Sequence, residues 1–529
     1  MRIRLAIFVL ALLMMMAVLP TLAQDAAPEA SGALTLEPLG TVTTGAFDEG
    51  AQEIVAYHAP SQTVYAVNAQ AVTLDLISIA DPAAPTVTTQ VDMTQYGDSA
   101  NSVAVYGDLV AVAIQAEAAD ANGSVVFLNP AGEFISTVEV GVLPDMVTFS
   151  PDGTKVLTAN EGEPNDDYSV DAEGSVSIID VSGGVEAATV TTVGFTDFNT
   201  DGARAAELPE GARIFGPNAT VAQDLEPEYI AVSPDSSTAY VTLQEANVYA
   251  VIDINAGSVT AIYSFGVKDH SLPGNALDAG NDDGVINIAN WPVFGLYQPD
   301  GIAAYEVDGT IYVVTANEGD TRDYETYSEE GELGESAVDE AFPDLETLVT
   351  EGAIGGLEIL ESIGDTDGDG DLDQLYIPGG RSFSIYNANT GEQVFDSGDQ
   401  LEQIIAAAFP ENFNASHDDN GLDDRSDNKG PEPEGVTLAV IGESTYAFIG
   451  LERQSGIMVY DVTDPTAPVF VTYVENRSYD ADPGTPEAGD LGPEGLLFIS
   501  AEESPNGQPL LVVANEVSGT TTIWQITVN

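Results

Sequence analysis

The feature that most constrains the fold is a repeated hairpin. In its clearest copy Pro144-Asp145 opens an alternating run from Met146 to Ser150. The chain then turns at Pro151-Asp152-Gly153, and a second run from Lys155 to Ala159 ends at Asn160-Glu161. Period-two alternation on both sides of a Pro-Asp-Gly turn predicts an antiparallel strand pair. A third run at Ser175 to Val181 and a fourth near Ala188 to Val193 complete a unit of four short strands, the makeup of a propeller blade. Related hairpins begin at Glu53, Asn101, Pro227-Glu228, Pro299-Asp300, Pro433-Glu434 and Pro493-Glu494. With a divergent unit over about 357–397, the expectation is an all-β propeller of about eight four-stranded blades, alternatively seven if that unit is shared with its neighbour.

The ends of the chain fit a ring. The last unit has only three strands, finishing with Thr521 to Val528, and Leu34 to Thr44 precedes the first hairpin without a partner. Pairing the two would close the propeller and hide both sheet edges; a pair of β-sandwiches is the rival architecture. Four insertions, at about 195–225, 265–297, 320–352 and 400–432, interrupt the repeat with polar, Gly/Asp/Asn-rich sequence, where function tends to concentrate.

Arg2 and Arg4, the apolar run Leu5 to Leu19 and the small-residue site Thr21-Leu22-Ala23 read as a secretory signal over 1–23, leaving 24–529 as a single propeller domain. The apolar run is shorter than the roughly twenty residues of a membrane span, and no later stretch replaces it. The chain stops one strand past the repeat without a sorting motif or membrane tail, so release is expected over surface attachment. The chain has no cysteine, which rules out disulfides and a lipidated cysteine anchor.

Charge narrows the partners. There are 87 acidic against 12 basic side chains, for a net charge of −75. Such a surface repels nucleic acid and anionic lipid and gathers cations, although adaptation to salt would also produce it.

The hairpin has a geometric consequence. Its two outer ends lie side by side, opposite the turn, so the acid before the first strand and the Glu after the second share one face. Around a ring this places Asp145, Glu161, Glu228, Glu245, Asp300, Glu318, Glu434, Glu452, Glu494 and Glu516 near one rim. Crowded carboxylates need a cation, an arginine or a raised pKa. Glu161, Glu245, Glu318, Glu434, Glu452, Glu494 and Glu516 are therefore candidate metal ligands. Arg322, Arg381 and Arg453 follow second strands, on the same face, as ion-pair partners or candidate anion-binding groups.

The sharpest chemical signal is Asp365-Thr366-Asp367-Gly368-Asp369-Gly370-Asp371-Leu372-Asp373. Alternating aspartates present hard oxygen donors around a tight bend at Gly370, which suits Ca²⁺. Tyr376 stands where an EF-hand carries its bidentate Glu, and no helices flank the loop. The segment reads as a calcium-stapled turn between strands, in the place other blades use Pro-Asp-Gly. Asp278, Asn281, Asp282 and Asp283 form a weaker candidate. Asp418, Asp419, Asp423, Asp424 and Asp427 form an acidic loop without a ligand register. The histidines His58, His270 and His417 have no zinc-type partners at helical or hairpin spacing, and no phosphate-cradling Gly loop with Lys is present.

The stretches PDMVTFSPDGTKVLTANEGEPNDDY (144–168), NWPVFGLYQPDGIAAYEVDGTIYVVTANEGDTRDY (290–324), GDTDGDGDLDQLYIPGGRSFSIYN (364–387) and RSDNKGPEPEGV (425–436) resemble the choice-of-anchor I family. This family includes mesenchyme-specific cell surface glycoproteins associated with biomineralisation. The resemblance implies a secreted or surface-displayed propeller and supplies no catalytic residues; family members often carry phosphatase-like or phytase-like labels. Two functions are expected to compete. One is a non-enzymatic calcium-binding protein outside the cell, acting in adhesion or mineral handling through an extracellular protein, glycan or mineral surface. The other is a calcium-dependent phosphoesterase in which rim acids hold metal and the arginines neutralise substrate.

Overall fold

The computed structural model describes residues 26–47, 50–281, 284–350 and 354–529. The expected signal segment 1–23 lies outside these residues. Seven four-stranded antiparallel sheets follow one another along the chain. Their first strands are Ala51–His58, Ser99–Tyr106, Pro144–Phe149, Pro227–Val232, Ile302–Val307, Pro433–Ile441 and Pro493–Ile499. These strands touch in sequence order, and the first also touches the last.

The count is seven, and the alternative reading of a shared unit is the one observed. Ser382–Asn387 and Glu392–Asp396, in the divergent segment, are the third and fourth strands of the fifth blade. They follow its second strand, Thr310–Asn317, only after a long excursion. The expected pairing of the ends is present: Leu34–Thr43 lies antiparallel to Thr520–Val528 as the outer strand of the seventh blade.

Burial explains the sequence pattern. Middle strands are covered on both faces by neighbouring blades, so Leu510–Asn515 is buried throughout, and alternation fades into a continuous apolar run. The outer strand Thr86–Asp92 is almost wholly exposed and correspondingly polar. Apolar clusters form at every seam between blades. Tyr65, Leu74, Val110 and Val112 join the first blade to the second. Val64, Ile77, Val512 and Ile523 join the seventh to the first in the same way. Each blade thus buries its two faces against two neighbours, which no isolated unit could do.

A buried amide pins strands together inside several blades. Asn160 accepts from Thr158 Oγ1 at 2.8 Å and donates to Ser175 and Ser177 on the next strand. Asn317 repeats this with Thr315, Ser382 and Ser384. The recurring Thr-Ala-Asn is therefore a structural signature, since a buried amide requires partners.

All long insertions rise from one face. First strands start there and second strands end there, so the connections from strand two to three and from one blade to the next cross it. The excursions 195–226, 265–301, 318–381 and 397–432 leave from this face. They are more than loops. Val267–Asp269, Phe294–Leu296 and Tyr376–Ile377 form a three-stranded sheet. Leu277, Val293, Leu333, Ile359, Leu372 and Ile377 belong to an apolar core shared among the insertions. The 400–432 segment opens with the helix Gln400–Ala408, whose Leu401, Ile404 and Ile405 fill the seam between the fifth and sixth blades. Among the described residues no helix is long and apolar enough to cross a membrane.

Candidate functional site

The acids predicted to share a rim converge. Glu53, Asp145, Glu161, Glu228, Asp300, Glu318, Asp320, Glu434, Glu452, Glu494 and Glu516 line one cavity of about 490 Å³ at the ring's centre, with Lys429 and Arg453 as its cationic side chains. Glu245 joins them: its carboxylate lies within 4.8 Å of those of Glu161 and Glu228. The acids come in two tiers. Glu53, Asp145, Glu228, Asp300, Glu434 and Glu494 stand at or just before first strands, whereas Glu161, Glu245, Glu318, Glu452 and Glu516 follow second strands.

Crowding and burial set the electrostatics. Burial, then Glu516 and Asp145, push Glu53 up to about 8. Burial, then Glu163, push Asp145 up to about 7. Glu245 and Glu318 each rise to about 7, chiefly through burial, with Arg322 and Lys429 respectively opposing the rise. Glu161, Glu228, Asp300, Glu434, Glu452 and Glu494 lie well above the usual carboxylate range, desolvation leading in each. Among the described residues, buried carboxylate oxygens of Glu228, Glu245, Glu434 and Glu494 have no hydrogen-bond partner. Such an arrangement favours any ligand that brings positive charge.

One sector of the mouth is compensated. Glu318, Glu432 and Glu452 bring carboxylate oxygens within 4.8 Å of one another. Lys429 Nζ lies 3.1 Å from Glu432, Arg425 2.7 Å and Arg453 3.3 Å from it, and Arg453 reaches Glu452 at 3.1 Å. Burial, the largest single influence on Glu432, would raise it, but these three cations together hold it at about 2. Glu432 was missed by reading acid-before-strand spacing, which selected Glu434 two residues on. Asp320 and Glu53 were also missed as lining groups, although Glu53 marks a hairpin start.

The three arginines do not share a task. Arg322 is fully buried, bonded to Asp224 at 2.6 Å and to Glu226. It ties the fifth-blade insertion to the segment that enters the fourth blade. Arg381 is buried too, donating to Glu402 at 2.9 Å and to the carbonyl oxygens of Asp278, Ser426 and Asn428. Only Arg453 of the three lines the cavity, and it also hydrogen-bonds His417. Arg322 and Arg381 are therefore corrected from candidate anion-binding groups to structural clamps.

The Asp365 loop lies in the fifth-blade insertion, between Glu358–Leu360 and Tyr376–Ile377, not at a blade turn as its sequence suggested. The fifth blade turns instead at Asp308-Gly309. The loop is nonetheless organised. Asp365 accepts from the backbone N–H groups of Gly368 and Gly370 at 2.6 and 3.0 Å, and Asp373 accepts from that of Thr366 at 2.8 Å. Gly370 has φ +100°, a conformation that disfavours a side chain. Asp365, Asp367 and Asp373 form one group with oxygens within 4.8 Å. Asp371 and Asp373 form another with Asp339, which arrives through the bridge between Val338 and Leu372. Asp369 stands in neither group.

The weaker acidic candidates dissolve into structure. Asp278 is buried and accepts from the N–H groups of Asn287 and Gly280, while Asn281 bonds Asp427. Asp282 and Asp283 lie outside the described residues. Ser416 bonds Asp418, and Asp423 accepts from Ser426. Asp418, Asp419, Asp423, Asp424 and Asp427 give no three-carboxylate group among the described residues.

Comparison with known proteins agrees on the family. The family model described as the choice-of-anchor I domain matches residues 53–465. Gigasin-3a of Magallana gigas is 31% identical over 173 residues, 30% of this chain and 60% of that protein. The mesenchyme-specific cell surface glycoprotein of Strongylocentrotus purpuratus is 27% identical over 303 residues, 50% of this chain and 38% of that protein. The chain thus spans less than two thirds of either relative. Among solved structures, Kuenenia stuttgartiensis hydrazine synthase aligns with TM-score 0.46 at 14% identity, covering 92% of this chain and 98% of that one. A streptogramin B lyase aligns with TM-score 0.44 at 10% identity, covering 95% and 100%.

Proposed function

Because the chain belongs to the choice-of-anchor I family and has a cell surface glycoprotein among its relatives, we propose that it works outside the cell as a calcium-binding propeller. Its role there is binding or scaffolding, in adhesion or in contact with a glycan or mineral surface. The observation that carries this reading is the charge imbalance of the mouth: a dozen carboxylates face a cavity whose cationic side chains are Lys429 and Arg453. Oxygen-only donors on a partly adaptable frame suit Ca²⁺ better than a transition metal. The ordered Asp365 loop adds a second, exposed place for the same ion.

The phosphoesterase alternative loses two of its three arginines to the clamps, and Lys429 and Arg453 are paired with Glu432. Substrate charge would then have to be met by bound metal alone. Calorimetric titration of the chelated protein with Ca²⁺ tests the main reading. At least two binding events are expected, and no heat up to millimolar calcium would overturn it.

A further inference from the structure

We infer that Glu161, Glu228 and Glu245 together hold one hard divalent cation at the seam between the third and fourth blades. This deepens the calcium reading and rests on it, since it selects three acids out of the whole mouth.

The first support is spacing. Oxygens bound to one calcium lie about 2.3–2.6 Å from it and so no more than about 5 Å apart. One carboxylate oxygen from each of the three residues falls within 4.8 Å of the others. The second support is unmet bonding. Glu228 and Glu245 are 7% and 4% exposed, and each has a buried Oε2 without a hydrogen-bond partner among the described residues. A buried carboxylate oxygen in that state is costly unless something binds it. The nearby cation, Arg322, is already bonded to Asp224 and Glu226.

The third support is a comparison inside the molecule. Glu318 and Glu452 occupy, at the seam of the fifth and sixth blades, the places that Glu161 and Glu245 occupy here. That second trio, completed by Glu432, has the same spacing, yet Lys429, Arg425 and Arg453 sit on it. The fold has met one cluster with directly bonded ammonium and guanidinium groups, whereas the other feels Arg322 only at a distance, since that guanidinium is bonded to Asp224 and Glu226. Three carboxylates from two blades would then make the cation a staple across a seam, with several coordination positions open toward the cavity.

The test uses the mature protein stripped by chelator and titrated with Ca²⁺, comparing wild type, Glu228→Gln, Glu245→Gln and a loop variant, Asp367→Asn with Asp373→Asn. Each mouth variant is expected to lose one binding event, or to weaken it at least tenfold, while the loop event persists. The loop variant is expected to show the converse. Crystals soaked in Mn²⁺ are expected to give an anomalous peak among the three glutamates. Wild-type binding in both mouth variants, or a peak on Glu318, Glu432 and Glu452 instead, overturns this assignment while leaving calcium binding intact. No binding by any form overturns both. Folding is read separately from thermal melts in chelator. Neutralising one of these crowded buried carboxylates should leave the melting temperature equal or higher, so a variant that fails to fold also counts against the proposal.

Discussion

Removing metal and raising the pH should destabilise this protein, with the mouth as the largest source. The perturbation is a shift from pH 5 to pH 8.5 in chelator. Glu53, raised from its usual 4.5 to about 8 by burial, Glu516 and Asp145, keeps its proton in the folded state over a range where the unfolded chain has released it. The folded state binds more protons in that window, so stability falls as pH rises. The contribution is complete below about 4.5 and is lost as pH climbs through about 8. At about 1.4 kcal/mol per tenfold change in proton affinity, Glu53 alone accounts for up to about 5 kcal/mol. Asp145, Glu245 and Glu318, each raised to about 7, act in the same direction. All share one field, so their contributions overlap and do not simply add. For a chain of this length, unfolding entropy is about 1 kcal/mol per degree, which makes the expected fall about 5 °C or somewhat more. Calorimetric melts in 1 M NaCl confine the effect to buried groups, because the Debye length of about 3 Å silences the outer surface; Asp278, Glu358 and Glu475, each raised to about 7 outside the mouth, add a background in the same direction. Saturating calcium should reduce the slope, since the metal binds the ionised carboxylates, and Glu53→Gln should make it shallower in chelator. A melting temperature that is level or rising with pH in chelator at high salt would refute the reasoning.

Other perturbations separate structure from binding. Asn317→Ala takes the acceptor from the buried Thr315 hydroxyl and a donor from Ser382 and Ser384 and should cost about 1–3 kcal/mol, seen as a lower melting temperature with calcium stoichiometry unchanged. Arg381→Leu takes the cation from buried Glu402, which keeps the neutral donors Asn414 and the Asp278 N–H, and a donor from three carbonyl oxygens. A loss of about 3–5 kcal/mol is expected, with the 265–301 and 397–432 insertions becoming the first sites cut in limited proteolysis. Calcium at one hundred times its dissociation constant should stabilise the wild type by about 2.7 kcal/mol per occupied site. Phosphomonoesters and phytate should show no turnover with added Ca²⁺ above a chelated control, and clear turnover would restore the phosphoesterase reading.

The convergence of Glu161, Glu228 and Glu245 was legible in the sequence because it needs nothing beyond strand alternation and the position of a turn. A hairpin fixes which of its ends are neighbours, and repetition in a ring carries that relation around the centre. What was not legible travels through the insertions. Arg322 meets Asp224 and Glu226 across a long sequence separation, and no periodicity links them. Asp339 reaches the Asp365 loop only because Val338 bridges Leu372. The blade count stayed open for the same reason: strands Thr310–Asn317 and Ser382–Asn387 pair directly although a folded excursion separates them. Glu432 and Glu434 differ by a single step of the pleat, and spacing alone chose the one that the cations do not hold.

The contrast in exposure between the two acidic places has a kinetic consequence. Asp365, Asp367 and Asp369 stand open to water, so an ion there would trade with its surroundings almost as fast as it diffuses. Glu228 and Glu245 are buried, so an ion between them would exchange more slowly. Stopped-flow chelation should accordingly release calcium in two phases, a prompt one from the insertion loop and a slow one from within, so that one molecule both tracks the ionic medium and retains a memory of it.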